Sequence, residues 1–339
     1  MQLSDIAFRF VLFAERCWDR LATLLWSPTS DFSIFSLLSA FLVAACFIAF
    51  GRPRKRPVKM RTIVRALIPR RWLRSRSGRA DLGLMAMNIF IAGGLIGWAI
   101  MSASFFESMM NIPLDRILGP KSLLVVPGAV LTVILTLSFY LAYELAYFVD
   151  HYLSHHIPVL WHFHKVHHTA ETLSPVTNYR VHPIDSVVFY NLVALFVGVT
   201  LAIVRHVVSS PDRDANFEGA NAILLVASYL LTHLHHSHMW IAFTGKLGRV
   251  VLSPAHHQLH HSADPSHFNR NFGNTLALFD FLAGTLRIPG KKRENLTFGA
   301  GALNYDPHGV TGLLVMPFCD AAEGVKRTAI QIPRVNRAI

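Results

Sequence analysis

Charge is scarce in this chain. Lys, Arg, Asp and Glu make up 15% of its 339 residues, against about 25% in an ordinary soluble domain. That shortage excludes a fully water-facing surface. Cysteine is equally sparse: Cys17, Cys46 and Cys319 form no CxxC pair, which excludes a disulfide framework and a thiolate zinc site. The first 30 residues lack the unbroken apolar region of a cleaved signal peptide, because Arg9, Glu15, Arg16, Asp19 and Arg20 interrupt it. They read as an amphipathic, interfacial segment. Internal repeats and low-complexity tracts are also missing.

Long uncharged runs take the place of the missing charge. They cover Phe35 to Phe50, Leu82 to Ser104, Leu123 to Phe148, Val187 to Val204 and Ala220 to about Leu234. A helix needs roughly 20 residues to cross the hydrocarbon of a bilayer. The first run is short for a span, and the last two can form either two crossings or a re-entrant hairpin. The expected fold is therefore all-α, an integral-membrane bundle of four to five spanning or re-entrant helices.

The net charge of +12 is equalled by one segment, residues 52–79, which holds twelve Lys or Arg and no acid. No nucleic-acid-binding motif accompanies it, so nucleic acid is not an expected partner. A basic loop between two spans follows the positive-inside bias of cytoplasmic loops and suits anionic lipid head groups. With that loop in the cytoplasm, alternation brings residues 149–185 and those after 236 to the same side, forming a cytoplasmic, histidine-rich cap. The expected organisation is an N-terminal segment with the first membrane helix and basic loop (1–81), a catalytic membrane domain (82–290) and a cytoplasmic tail (291–339).

Histidine is abundant where charge is not. Of 19 histidines, eight lie between His151 and His182 and nine between His233 and His267. Their spacings repeat as His151-x-x-x-His155, His164-x-x-His167-His168 and His257-x-x-His260-His261. Residues at i, i+3 and i+4 share a helical face, so each triplet is expected to aim three imidazoles at a common point. Eight imidazoles exceed the roughly four ligands of one zinc ion, and two ions fit better. Neutral imidazole suits iron, zinc, copper or nickel. The Glu-x-x-His pairs of carboxylate-bridged di-iron bundles are missing from these windows, as is the HExxH of zinc hydrolases. Activation of dioxygen next to lipid matches this donor set better than hydrolysis does.

The segment "DHYLSHHIPVLWHFHKVHHTAETLSPVTNYRVHP" resembles the core of the fatty acid hydroxylase/sterol desaturase superfamily. The likeness runs through His151 and His155, Trp161 with the first triplet, and Asn178, Arg180, His182 and Pro183. It continues in "SPAHHQLHHS" and "NFGNTLALFDFLAGT" and covers about residues 85 to 290. It implies metal ligands at His151, His155, His164, His167, His168, His257, His260 and His261. A ninth is expected from "THLHHSH", with His236 favoured over His233 and His238. His182 is expected to be a ligand or a partner of one. Glu144, Asp150, Asp185 and Asp280 are candidates to bind metal or to hold a ligand's second ring nitrogen. Asn271 and Gly273 are expected to set a turn. His156, His162, His235, His256 and His267 fall off the register.

The resemblance further implies two iron ions, dioxygen as co-substrate and a membrane lipid as substrate. Electrons are expected from a separate donor of ferredoxin or cytochrome b5 type with its reductase, because no His-Pro-Gly-Gly module is fused. Two departures stand out: Tyr152 where the family often has Arg, and Phe279 where many members have Trp. The expected activity is hydroxylation of an acyl chain, head group or sterol-like ring. Desaturation by the same centre and non-catalytic metal binding are the alternatives. The tail carries no retrieval signal, which leans toward a bacterial inner membrane.

Overall fold

A computed structural model describes residues 3–30, 32–50, 59–121, 124–211 and 221–331. Part of the basic loop (51–58), the starts of two apolar runs (Leu123 and Ala220) and the last eight residues lie outside it. The chain forms α1 (Leu3–Trp26), α2 (Ile34–Phe50), α3 (Met60–Leu67), α4 (Arg70–Arg74), α5 (Arg76–Met87), α6 (Gly93–Ile96) and α7 (Ala103–Leu118). After β1 (Leu124–Val125) come α8 (Gly128–His156), α9 (Pro158–His168) and α10 (Pro183–Val207), then β2 (Val208–Ser209). The remainder holds α11 (Ala222–Ala227), α12 (His233–His235), α13 (Gly245–Gly248), α14 (Pro254–His260), α15 (Leu278–Ala283), α16 (Val310–Leu314) and α17 (Met316–Gln331).

Three stretches are long and apolar enough to cross a bilayer: Arg76–Leu118, Gly128–His156 and Pro183–Val207. Ile34–Phe50 and Ala222–His235 are shorter apolar helices. The described residues thus form a mostly helical integral-membrane bundle with almost no strand. In α2, Ser36 meets His233, and Ala44 packs with Ile63, Leu234 and Met239.

The first long stretch is broken. A π turn covers Asn88–Ala92, a 3-10 turn covers Gly97–Ala99, and helix resumes only at Ala103. Gly93, Gly94 and Gly97 weaken helix here. Inside a bilayer a broken helix must recover its backbone hydrogen bonds from neighbours, and Asn191 of α10 supplies them. Its Oδ1 accepts from Met101 N at 3.0 Å, and its Nδ2 donates to Ala99 O at 2.9 Å. Lower down, α7 crosses α10 at Gly198, where a Cβ would stand 2.3 Å from Ala103 O.

Helices α8 and α10 pack through Leu131, Leu135, Ala142, Val197 and Leu201. At their far ends β1 and β2 pair in parallel, Leu124 opposite Val208. At the near ends proline sets the geometry. Pro158 disfavours helical backbone at Ile157, which is extended (φ −95, ψ 113). It then opens α9 at the position where its missing N–H costs nothing. The same device starts α10 at Pro183 and α14 at Pro254. Each break turns a histidine-bearing helix back toward the others.

Candidate metal centre

Four elements converge on one buried pocket of imidazoles. His151 and His155 from α8, His164 and His168 from α9, and His260 from α14 form one group. His167 from α9, His236 after α12, and His257 and His261 at α14 form a second. Within each group one ring nitrogen per residue lies within 4.8 Å of all the others. The nine residues are those singled out by spacing and resemblance. Their distribution differs from the expectation of one common point per triplet. His164 and His168 turn to the first group and His167 to the second, while His257 and His261 turn to the second and His260 to the first. The reason is helical pitch. A residue at i+4 sits about 40° past i, whereas i+3 sits about 60° short of it, so the middle histidine faces the neighbouring group.

Hydrogen bonds set the imidazole tautomers. His151 Nδ1 donates to Phe272 O at 2.8 Å and His260 Nδ1 to Arg270 O at 2.8 Å. His167 Nδ1 donates to Arg180 O at 3.3 Å, and His164 Nδ1 to Asp185 Oδ2 at 3.1 Å. With the proton on Nδ1, each Nε2 carries a lone pair into its group. Nε2 of His151 and of His164 has no hydrogen-bond partner. In the second group the Nε2 atoms of His236, His257 and His261 form a triangle of 2.9, 3.0 and 3.2 Å sides, with His167 Nε2 3.1 Å from His236. In the first, His168 Nε2 stands 3.2 Å from both His155 and His260. Inward lone pairs at such distances repel unless a cation lies among them. An all-imidazole donor set therefore fits borderline transition metals.

Electrostatics agree. Burial pushes His167, His168, His236, His257 and His261 well below the usual histidine range, and their histidine neighbours add to it. Burial holds His260 down at about 3. These rings are neutral at pH 7 and ready to ligate. His164 departs: burial lowers it, but the Asp185 carboxylate more than compensates, and the net shift is upward. Carboxylate-to-imidazole contacts of this kind orient metal ligands and raise their basicity.

Residues 136–285 match the family described as fatty acid hydroxylase. This stretch is similar to a fatty acid hydroxylase domain. It opens within α8, closes after α15 and contains all nine histidines of the two groups. No curated protein and no solved structure matches the chain.

Outside the two groups, the structure gives the other candidates different tasks. Both nitrogens of His182 are engaged elsewhere: Nδ1 accepts from Ile184 N and caps α10, and Nε2 bonds Leu314 O. His233 Nε2 bonds Ser36 Oγ, and His238 belongs to neither group. Glu144 holds no ligand's ring nitrogen. Fully buried, its carboxylate accepts from Thr275 N, Leu276 N, Thr275 Oγ1 and Asn274 Nδ2. Asp280 accepts from Phe272 N, Gly273 N and Thr285 Oγ1. Two carboxylates thus brace the loop whose Arg270 and Phe272 carbonyls orient His260 and His151.

That loop needs special backbone. Asn271 adopts φ 58 and bonds His256 O and Arg287 O through Nδ2. A Cβ on Gly273 would meet Leu276 O at 2.6 Å. Of the off-register histidines, His256 joins Ser253 in a capping box, His156 stacks on Tyr152, and His162 and His267 lie near Asp320 and Glu294. Phe279 packs on Phe148.

Sequence reasoning missed Asp81. Buried with Arg180, it accepts from Arg180 Nη1 at 2.8 Å, Trp72 Nε1 at 2.7 Å and Thr177 Oγ1 at 2.9 Å. Arg180 also donates to Val166 O, Thr169 Oγ1, Ser77 O, Pro307 O and His308 Nδ1. The pair locks α5, α9 and the C-terminal segment around the carbonyl that orients His167. One signal was available, since Asp81 is the first acid after the basic run.

A cavity of about 550 Å³ opens onto the centre between α8, α10 and α11. His151, His164, His167, His236 and His257 form its floor, and Phe139, Phe189, Val193, Leu224 and Leu225 line it further along.

Proposed function

We propose that this protein is an oxygen-dependent hydroxylase of a membrane lipid, with iron held by the two histidine groups. The observation that carries the reading is the pair of five- and four-imidazole clusters at the floor of a cavity between membrane helices. Bound iron would supply the reductive activation of dioxygen that unactivated C–H bonds require. The net change is RH + O2 + 2 e⁻ + 2 H⁺ → ROH + H2O, with both electrons from a separate ferredoxin- or cytochrome b5-type donor and its reductase.

The chain's own residues bind and aim. His151, His155, His164, His168 and His260 would hold one ion, and His167, His236, His257 and His261 the other. Asp185 and the carbonyls of Phe272, Arg270 and Arg180 keep those rings in their ligating tautomer. The cavity walls would fix which carbon faces the floor, and helices that stand in lipid allow a substrate to enter sideways from the bilayer. The catalytic unit is residues 82–290, flanked by 1–81 and 291–339. The reading places the centre on the cytoplasmic face of a bacterial inner membrane, beside the basic loop.

Two measurements test this. Purified protein should carry about two iron atoms and, with oxygen-18 gas and a reducing system, label a lipid hydroxyl. His164→Ala and His260→Ala should each abolish the product. Loss of two hydrogens without label would assign desaturation instead, and unchanged lipids with metal bound would leave a binding protein.

A further inference from the structure

The floor of the cavity holds a polar group that the metal ligation does not use. Asp150 precedes His151 in α8, lines the cavity and is only 6% exposed. It belongs to neither histidine group. Its neighbour Asp185 is committed to His164, but Asp150 Oδ1 has no hydrogen-bond partner. A buried acceptor without a donor is costly, and a fold keeps one where a ligand completes it. A second such atom, His235 Nε2, lines the same cavity and is likewise buried without a partner.

The lining is mixed. Asp150, Asp185, Asn178 and Ser186 line the cavity, as does Asn221, whose amide is spent on Thr136 O and on the first turn of α11. Phe139, eleven residues before Asp150, stands about 17 Å further along α8, and Val193, Leu224 and Leu225 share the apolar lining. A plain hydrocarbon tail would leave Asp150 unsatisfied at the floor. An amphiphile entering with its polar group toward the floor satisfies both ends.

We propose that Asp150 is the anchor for a hydrogen-bond-donating group, a hydroxyl or an amine, on the substrate. This rests on the hydroxylase reading and names its substrate class: an amphiphile oxidised within a few carbons of its polar end, with its tail directed toward Phe139. Asp150 is thereby a specificity-determining residue.

The test is binding without turnover. Iron-loaded protein in detergent under nitrogen is given tritiated hexadecan-1-ol, which is displaced by unlabelled hexadecan-1-ol, hexadecylamine or 1-methoxyhexadecane. The ether keeps the tail and lacks the donor. Wild-type protein should prefer the alcohol and the amine over the ether by about tenfold or more, the cost of leaving a buried acceptor without a donor. Asp150→Ala should reduce that preference to near unity with the ether unchanged. Asp150→Asn, whose carbonyl still accepts, should keep part of it for the alcohol. Phe139→Trp should weaken all three probes alike.

Equal binding of alcohol and ether by wild-type protein overturns the proposal, whether or not the variants fold. So does an undiminished preference in Asp150→Ala. The displacement assay also runs on metal-free protein, so absence of iron or of oxygen-labelled product would defeat the hydroxylase reading without deciding this one.

Discussion

Asp185→Asn separates ligand orientation from ligation. Asp185 touches one ligand only, His164, at 3.1 Å, and His164 belongs to the five-histidine group. The substitution keeps the shape and an acceptor oxygen but removes the charge that makes the imidazole a stronger donor. Loss of such a partner typically costs about 10- to 100-fold in metal affinity, or about 1.4 to 2.7 kcal/mol. The fold should barely respond. Asp185 is the one acid in the first turn of α10, a position worth about 0.3–1 kcal/mol. The effect should also be lopsided, because no residue of the four-histidine group bonds Asp185. Titrating metal-free protein with ferrous iron under nitrogen, followed by bound-metal analysis, should give two sites in wild type. In Asp185→Asn one site should be unchanged and the other weakened. Equal weakening of both sites, or of neither, would refute the idea that Asp185 acts through His164.

The buried Arg180–Asp81 pair gives a second expectation. Arg180→Met leaves the Asp81 carboxylate uncompensated, a loss of about 3–5 kcal/mol, so the thermal midpoint should fall sharply. Arg180→Lys should rescue little, since an ammonium cannot reach all the acceptors of the guanidinium; full rescue would contradict this account. The histidines supply the pH dependence. Above the unfolded value of about 6.5 both states are neutral and stability is complete. As pH falls below it, unfolded rings protonate, whereas His167, His168, His236, His257, His260 and His261 resist until far lower, His260 until about 3. His164, shifted upward, opposes them, as does Asp280, which burial pushes above the usual carboxylate range. The unfolding midpoint of metal-free protein should therefore drop steadily from pH 7 to pH 5, and a flat profile would count against buried neutral imidazoles.

Local signals carried the helical membrane architecture and the choice of histidines, because apolar run length and i, i+3, i+4 spacing are properties of neighbouring residues. The division into two groups was not legible, since it depends on how α9 and α14 face each other across 89 residues of chain. Glu144 was recognisable as a costly acid within a span, but its partners Thr275 and Leu276 lie more than 130 residues away. Asp81 and Arg180, 99 residues apart, were invisible as a pair for the same reason. Asn271 and Gly273 were readable because their backbone demands are local.

The exchange of one histidine between the two windows has a consequence for biogenesis. The first window supplies His151, His155, His164 and His168 to one group but needs His260 from the second. The second supplies His236, His257 and His261 and needs His167 from the first. Synthesis at about 5–20 residues per second leaves roughly 4 to 18 s between the emergence of His168 and that of His257. Throughout that interval neither group is complete. On the iron-binding reading, metallation would wait for α14, and a chain stalled or clipped before it would hold no complete site.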